Sequence, residues 1–279
     1  MQFLFKFYQR ITWLSIDVVL GAMAGMLFFS RALRVELDWQ EYALLGMAVW
    51  CIYTTDHLMD ARKLTFHHRK GRHHFHLIYR KPLLVVLGIV GSLGLVWAIV
   101  FFGFSRELFF GAGLGVLILV IMLAVRKFGA EQVRLKELSS AVFYVIGISW
   151  LPWYEMPEID YTWTALGLTI LYMGLAYLNL IMLSCLDTES DKEAGFVSIA
   201  TKIPQERLLT NIRNLSISLI LCSFLGLLLV NSFYRIYPGL LVIMLLVHFL
   251  CFFKTNLSAE QVRMRMEVAF LVPAILLLI

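Results

Sequence analysis

Long apolar stretches alternate with short polar segments along almost the whole chain. A helix needs about 20 apolar residues to cross the hydrocarbon core of a bilayer, and the absence of water there favours structures that satisfy their own backbone hydrogen bonds. The pattern predicts nine transmembrane helices, the second continuing to Asp60 and the last only about 18 Å long at 1.5 Å per residue. They cover Ile11–Ser30, Tyr42–Thr55, Pro82–Phe104, Leu108–Val125, Leu138–Tyr154, Tyr161–Leu186, Leu215–Tyr234, Ile236–Phe253 and Val268–Ile279.

Composition supports this pattern. Of the 279 residues, 60% are hydrophobic and only 15% are charged, whereas an ordinary soluble domain has about 25% charged residues. A soluble globular domain and a disordered chain are therefore excluded. The four cysteines lie in or at the ends of apolar stretches and predict reduced, buried thiols. We expect an all-α polytopic membrane protein, folded as one domain over residues 1–279, with its helices bundled around a central cavity.

The distribution of basic residues orients the predicted helices. If the amino terminus is cytoplasmic, then of the 24 Lys and Arg residues only Arg31, Arg34, Arg106 and Arg235 face the opposite side. Such an excess on the cytoplasmic side follows the positive-inside rule. The net charge of +5 is therefore explained by orientation and by contact with anionic lipid, and nucleic acid is not expected as a partner. The pattern predicts a multi-pass protein of the cytoplasmic (inner) membrane.

Two acidic pairs carry the most specific chemical information. Asp56 and Asp60 end the second predicted helix, and Asp187 and Asp191 end the sixth. Residues four apart lie on one face of a helix, so each pair projects two carboxylates in the same direction. Both helices run toward the cytoplasm, which places the pairs at the same depth. A solvated helix boundary explains one such pair well, but two at equivalent positions favour a shared site.

Like charges at this spacing destabilise a helix, and partial burial increases that cost. A bound cation compensates, and Mg²⁺ prefers carboxylate oxygens while keeping positions for substrate phosphates. Arg62 and Lys63 follow the first pair, and Lys192 follows the second. These side chains are suited to neutralising phosphate charge. The sequence thus predicts a Mg²⁺-diphosphate site toward the cytoplasm, with Asp56, Asp60, Asp187 and Asp191 as metal ligands.

The second pair belongs to a longer motif. Asp187, Asp191, Gly195 and Ser198 match the pattern Asp-x-x-x-Asp-x-x-x-Gly-x-x-Ser/Thr, and with it the chain resembles the UbiA superfamily of intramembrane prenyltransferases. Nine helices with a cytoplasmic amino terminus are also typical of that family.

The other motifs of that family are matched to different degrees. Asp56 and Asp60 stand at the last two positions of the family's Asn-Asp-x-x-Asp-x-x-x-Asp motif, whose first two positions are occupied here by Ile52 and Tyr53. The stretch Arg134-Leu-Lys136-Glu137 resembles a basic loop that helps to bind diphosphate.

The resemblance implies a reaction. A polyprenyl diphosphate held by Mg²⁺ ionises, and the allylic carbocation is attacked by a lipophilic acceptor, often an aromatic ring or quinone precursor. Lys136 joins the four acids as a catalytic residue, while Arg62, Lys63, Arg134 and Lys192 bind the diphosphate. The acceptor stays open among a benzoate, a naphthoate, a tetrapyrrole, a glycerol lipid and a terpenoid. Cations fixed around the leaving group stabilise the transition state more than the ground state.

Three further residues are candidates for the substrate pocket. Asp17 lies inside the first predicted helix, and an acid within the membrane is functional by default, although a hydrogen bond between helices explains it equally well. Asn179 lies two turns before Asp187 on the same face and lines the cavity or packs against a neighbouring helix. Tyr53 can donate a hydrogen bond there.

Two other function classes stay open. The incomplete first motif is compatible with an inactive member that binds prenyl lipid or acts as a scaffold. A transporter would use Asp17, Asp56 and Asp187 as a proton relay, although acids clustered at the cytoplasmic end, rather than at the membrane midplane, disfavour that role.

Overall fold

A computed structural model describes residues 10–61, 72–128, 133–157, 162–189, 192 and 198–279. Every regular element among them is helical, in agreement with the predicted all-α class. The α-helices are α1 (Ile16–Ala32), α2 (Trp39–Ala61), α3 (Arg72–Ile78), α4 (Arg80–Phe102), α5 (Arg106–Phe128), α6 (Val133–Glu155), α7 (Thr162–Leu186), α8 (Ile199–Lys202), α9 (Gln205–Leu229), α10 (Ile236–Phe252) and α11 (Ala259–Ala269). Two 3₁₀-helices cover Ser232–Arg235 and Val272–Leu277.

Among the described residues, four helical segments are long and apolar enough to cross a membrane. They are Arg80–Phe102, Trp163–Leu186, Gln205–Leu229 and Ser232–Phe252. Helix α4 shows why lipid is its natural solvent: only Leu83 is buried along its length, although almost all of its side chains are apolar. A helix that is apolar on all sides and exposed to its surroundings suits a bilayer. The chain is therefore a membrane protein built from apolar helices.

The chain divides into two compact units. The first contains the described residues of Met1–Met23 and Asp38–Met122. In it, the beginning of α1 packs antiparallel to α2: the indole nitrogen of Trp50 donates to the carbonyl of Leu14 over 3.1 Å. Gly46 allows this close approach, since a Cβ at that position would lie 3.2 Å from Val19. On its other side, α2 packs against α4, where the rings of Trp39 and Trp97 lie 5.4 Å apart.

The second unit contains Ala24–Leu37 and the described residues of Leu123–Ile279. Its core is built around Tyr172 of α7, which is completely buried. The rings of Phe28 and Phe29 both lie 5.3 Å from the Tyr172 ring, and Phe270 lies 6.3 Å from it. Aromatic rings at these separations contribute packing and electrostatic attraction together. This cluster fixes the positions of α1, α7 and the end of α11 relative to one another.

Several helix boundaries differ from the predicted ones. The first helix is interrupted at Ser15, whose φ is +56°, so that residues 10–13 form a separate helical turn. The seventh begins at Gln205 instead of Leu215, directly after Pro204, because its polar first turns form a helix that hydropathy alone does not show.

The predicted helix Val268–Ile279 is not one continuous α-helix. Helix α11 starts earlier, at the capping box that Ser258 forms with Gln261. The chain then continues as the 3₁₀-helix Val272–Leu277, with Pro273 near its start. Proline has no backbone N–H and cannot continue an α-helical hydrogen-bond ladder.

Candidate functional site

Asp187, the first acid of the second motif, forms an ion pair at the end of α7. The Nη2 atom of Arg263 on α11 donates to Oδ1 and Oδ2 of Asp187, each over 2.5 Å. The Arg263 side chain is 18% exposed and that of Asp187 38%. Partial burial strengthens the attraction, because less water screens the charges. The predicted metal ligand therefore has a cation from the protein itself as its partner.

The charges around Arg263 keep it protonated. Burial lowers the pKa of its guanidinium, but Asp187, Glu267 and Glu260 raise it by a larger amount, so that the pKa lies above its ordinary value. Glu267 is 8% exposed and lies one turn along α11 from Arg263. The end of α7 and the polar face of α11 thus form a charged cluster in which Asp187, Glu267 and Glu260 stabilise the charged form of Arg263.

The basic stretch before the fifth predicted helix contacts the end of the second motif. Glu137 in the first turns of α6 is 8% exposed, and its Oε1 accepts a hydrogen bond from the backbone N–H of Ile199 over 3.3 Å. Ile199 follows Ser198, the last residue of the motif, and begins α8. A carboxylate at a helix N-terminus accepts from N–H groups that lack a partner inside the helix. Two segments that are 62 positions apart in sequence therefore lie together.

The first acidic pair has histidines beside it. Asp56 and Asp60 are half-buried at the end of α2. His57, next to Asp56, is 4% exposed, and its ring lies 5.0 Å from that of His76 on α3. The ring of Tyr53 lies 6.2 Å from His57. The short helix α3 thus packs a second imidazole against the end of α2, a contact that the sequence does not signal because His76 lies in a histidine-rich run with no particular spacing.

The two pocket candidates in apolar helices have different surroundings. Asp17, in the first turn of α1, is 3% exposed. Asn179 contacts His248 of α10: the His248 Nδ1 atom donates to the carbonyl of Met244 over 2.8 Å, and Nε2 lies 3.3 Å from the Oδ1 atom of Asn179. A neutral imidazole that donates from Nδ1 accepts at Nε2, so a hydrogen bond between the two side chains requires the Asn179 amide to turn its N–H toward the ring. This contact shows that Asn179 packs against a neighbouring helix, and its place in the substrate pocket stays a prediction.

Several predicted residues are not fully described. Arg62, Lys63 and Asp191 lie outside the described residues. Arg134 and Lys136 lie in α6, but only their backbone is described, while Lys192 is exposed. Within the described parts of the chain, no group of three or more His, Cys, Asp or Glu side chains is close enough to hold a metal ion. Asp56 and Asp60 belong to the first compact unit and Asp187 to the second, and the convergence of the two pairs stays a prediction.

Comparisons with known proteins add no family assignment. No protein-family model matches the sequence, and neither the curated proteins nor the solved structures include a significant match.

Proposed function

We propose that the protein is a Mg²⁺-dependent prenyltransferase of the UbiA type, acting inside the membrane on a polyprenyl diphosphate and a lipophilic acceptor. The proposal includes nine membrane crossings around a central cavity, a cytoplasmic amino terminus, and an active site facing the cytoplasm from the inner membrane. In it, the pairs Asp56/Asp60 and Asp187/Asp191 lie on opposite sides of one diphosphate.

One observation carries the proposal furthest: the hydrogen bond from Ile199 to Glu137. The basic stretch that includes Arg134 and Lys136 ends at Glu137, and the second acidic motif ends at Ser198. A diphosphate site needs metal-binding acids and phosphate-binding bases in one place. The contact supports such a site, because it holds the two segments next to each other at the start of α6.

Carboxylates are the part of the described site whose chemistry suits Mg²⁺. Asp56, Asp60 and Asp187 offer the oxygen ligands that this ion prefers. A bound Mg²⁺ would stabilise the charge that develops on the departing diphosphate. The chain's own part is to hold the diphosphate with Arg134, Lys136 and Lys192, and to keep water from the carbocation with apolar helices.

The ion pair of Asp187 with Arg263 also favours a second candidate function. A cation that already occupies both carboxylate oxygens competes with metal, and Ile52 and Tyr53 replace two polar positions of the first motif. Such a protein would bind prenyl diphosphate without releasing the diphosphate. The two functions share a ligand and differ in turnover.

Turnover separates them. Purified protein is incubated with Mg²⁺, labelled farnesyl or geranylgeranyl diphosphate and a panel of aromatic acceptors, and release of inorganic diphosphate is measured. We expect release that stops with a chelator and falls about 100-fold in Asp187→Asn, the scale seen when one group that stabilises developing charge is removed. Glu189→Gln, an exposed position two residues further on, is the matched control and should keep wild-type rates. Tight prenyl diphosphate binding with no release for any acceptor would favour the second candidate.

A further inference from the structure

Three buried polar side chains occur within six consecutive residues, where the first apolar segment is interrupted. Thr12, Ser15 and Asp17 are 8%, 1% and 3% exposed. The Oγ1 of Thr12, the Oγ of Ser15 and the Oδ2 of Asp17 are all buried without a hydrogen-bond partner among the described residues. At least nine in ten buried polar groups in proteins are hydrogen-bonded. Three exceptions within six consecutive residues indicate that a partner belongs there.

Hydrogen bonds within the chain stabilise the backbone around these side chains. Ser15 has a φ of +56°, which a residue with a side chain seldom adopts without local support. The interruption frees the carbonyl of Leu14, and the indole of Trp50 donates to it over 3.1 Å. The other oxygen of Asp17, Oδ1, accepts from the backbone N–H of Val18 over 2.9 Å. The remaining donors and acceptors are therefore those of the side chains.

The chemistry of the three groups selects the ligand. Two hydroxyls both donate and accept, whereas a carboxylate oxygen accepts only. A ligand hydroxyl can donate to Asp17 and accept from Ser15 or Thr12 at the same time. A carboxylate on the ligand would face the Asp17 carboxylate in an environment that screens charge weakly. An ammonium group only donates, so it cannot accept from either hydroxyl.

The position of Asp17 along α1 and α2 fits a substrate that extends from Asp17 toward Asp56. Helix α1 begins antiparallel to α2, with Leu14 beside Trp50. At a rise of 1.5 Å per residue, Asp17 lies about 13 Å from Asp56 along this helix pair, on the side away from the end of α2. That end carries Asp56, so Asp17 lies beside the apolar middle of α2.

From these observations we infer that the segment of Thr12, Ser15 and Asp17 binds the hydroxyl group of an uncharged, amphiphilic acceptor. The assignment as acceptor rests on the proposed prenyl transfer, but binding of the hydroxyl compound itself does not. The inferred site limits the acceptor to hydroxyl compounds without a carboxylate, such as a hydroquinone or another neutral phenol.

Equilibrium binding in the absence of Mg²⁺ and prenyl diphosphate tests the inference separately from catalysis. The probes are a neutral alkyl hydroquinone and a matched alkyl hydroxybenzoic acid, and tryptophan fluorescence reports binding because Trp13 and Trp50 flank the site. We expect the hydroquinone to bind at least tenfold more tightly than the acid, and Asp17→Leu to weaken hydroquinone binding at least tenfold. Asp38→Asn, an exposed position in the same unit, should bind like the wild type.

Smaller substitutions protect the test against misfolding. If Asp17→Leu unfolds, Ser15→Ala and Thr12→Val each remove only one hydroxyl, and we expect each to weaken hydroquinone binding several-fold. Equal binding of the two probes, unchanged binding in all three variants, or no hydroquinone binding by the wild type would overturn the inference. Binding as expected without diphosphate release in the turnover assay would leave the hydroxyl site in place and refute the proposed enzyme.

Discussion

Gly25 is the position where the packing of the second unit can be tested with the least ambiguity. A Cβ at Gly25 would lie 2.6 Å from Cδ1 of Ile148 and 2.8 Å from the hydroxyl oxygen of Tyr172. Neither neighbour can move easily, since Ile148 is 1% exposed and Tyr172 is completely buried. Phe28 also holds the Tyr172 ring, at 5.3 Å. Gly25→Ala therefore forces an extra methyl group into a filled core.

The expected loss of stability in Gly25→Ala is obtained by comparison with a matched variant, Gly147→Ala. In a helix interior, Gly→Ala gains about 1 kcal/mol from backbone propensity, and this gain is common to Gly25→Ala and Gly147→Ala. A Cβ at Gly147, on the same helix as Ile148, meets no atom within 4 Å. The difference between the two variants therefore isolates the steric cost, about 1–3 kcal/mol for overpacking.

Unfolding of the purified protein in mixed micelles, followed by circular dichroism against denaturing detergent, measures this difference. We expect Gly147→Ala to be at least as stable as the wild type and Gly25→Ala to be less stable than Gly147→Ala by the amount above. Equal stability of the two variants would show that Gly25 is not packed against Ile148 and Tyr172.

Two other hydrogen bonds predict stability effects in the same assay. Asn179→Leu leaves Nε2 of the fully buried His248 without this partner and should lower the free energy of unfolding by about 1–3 kcal/mol. The control Asn214→Leu, at an exposed position, should change it by less than about 0.5 kcal/mol. Equal effects of the two variants would refute the contact between Asn179 and His248. Trp50→Phe removes the donor to the Leu14 carbonyl and should lower the free energy of unfolding by about 1–2 kcal/mol. The control is Trp39→Phe, because Trp39 is 66% exposed. A loss of stability no larger than that of the control would contradict the hydrogen bond.

Hydropathy predicted most of the helices because lipid demands long apolar stretches with satisfied backbones. It failed where polarity and helicity diverge. The first turns of α9 are polar yet helical from Gln205. The last apolar stretch looked like a short transmembrane helix, but the capping box at Ser258 and the proline at Pro273 set other boundaries. Such local signals act over a few residues and are outweighed in a hydropathy average.

The candidate site was predicted only in part, for a different reason. Spacing four residues apart within one helix is visible in sequence, so Asp187 could be singled out. Its partner Arg263 is 76 positions away and carries no motif, because ion pairs between helices depend on how α7 and α11 pack. The contact of His57 with His76 is equally invisible. The Asp17 oxygen that has no hydrogen-bond partner among the described residues also depends on packing, although the presence of an acid in an apolar stretch drew attention to Asp17.

We propose that the acids of α2 and α7 act on one diphosphate, and a double-mutant cycle is the most direct test of this shared site. Mn²⁺, as a spectroscopic substitute for Mg²⁺, is titrated in the presence of diphosphate with the wild type, Asp60→Asn, Asp187→Asn and the double variant, and its affinity is read by electron paramagnetic resonance. If the two acids share one site, the double variant should deviate from the product of the single effects by at least about fivefold, or about 1 kcal/mol, as groups in one network do. Effects that multiply to within about twofold would place Asp60 and Asp187 in separate sites and contradict the account.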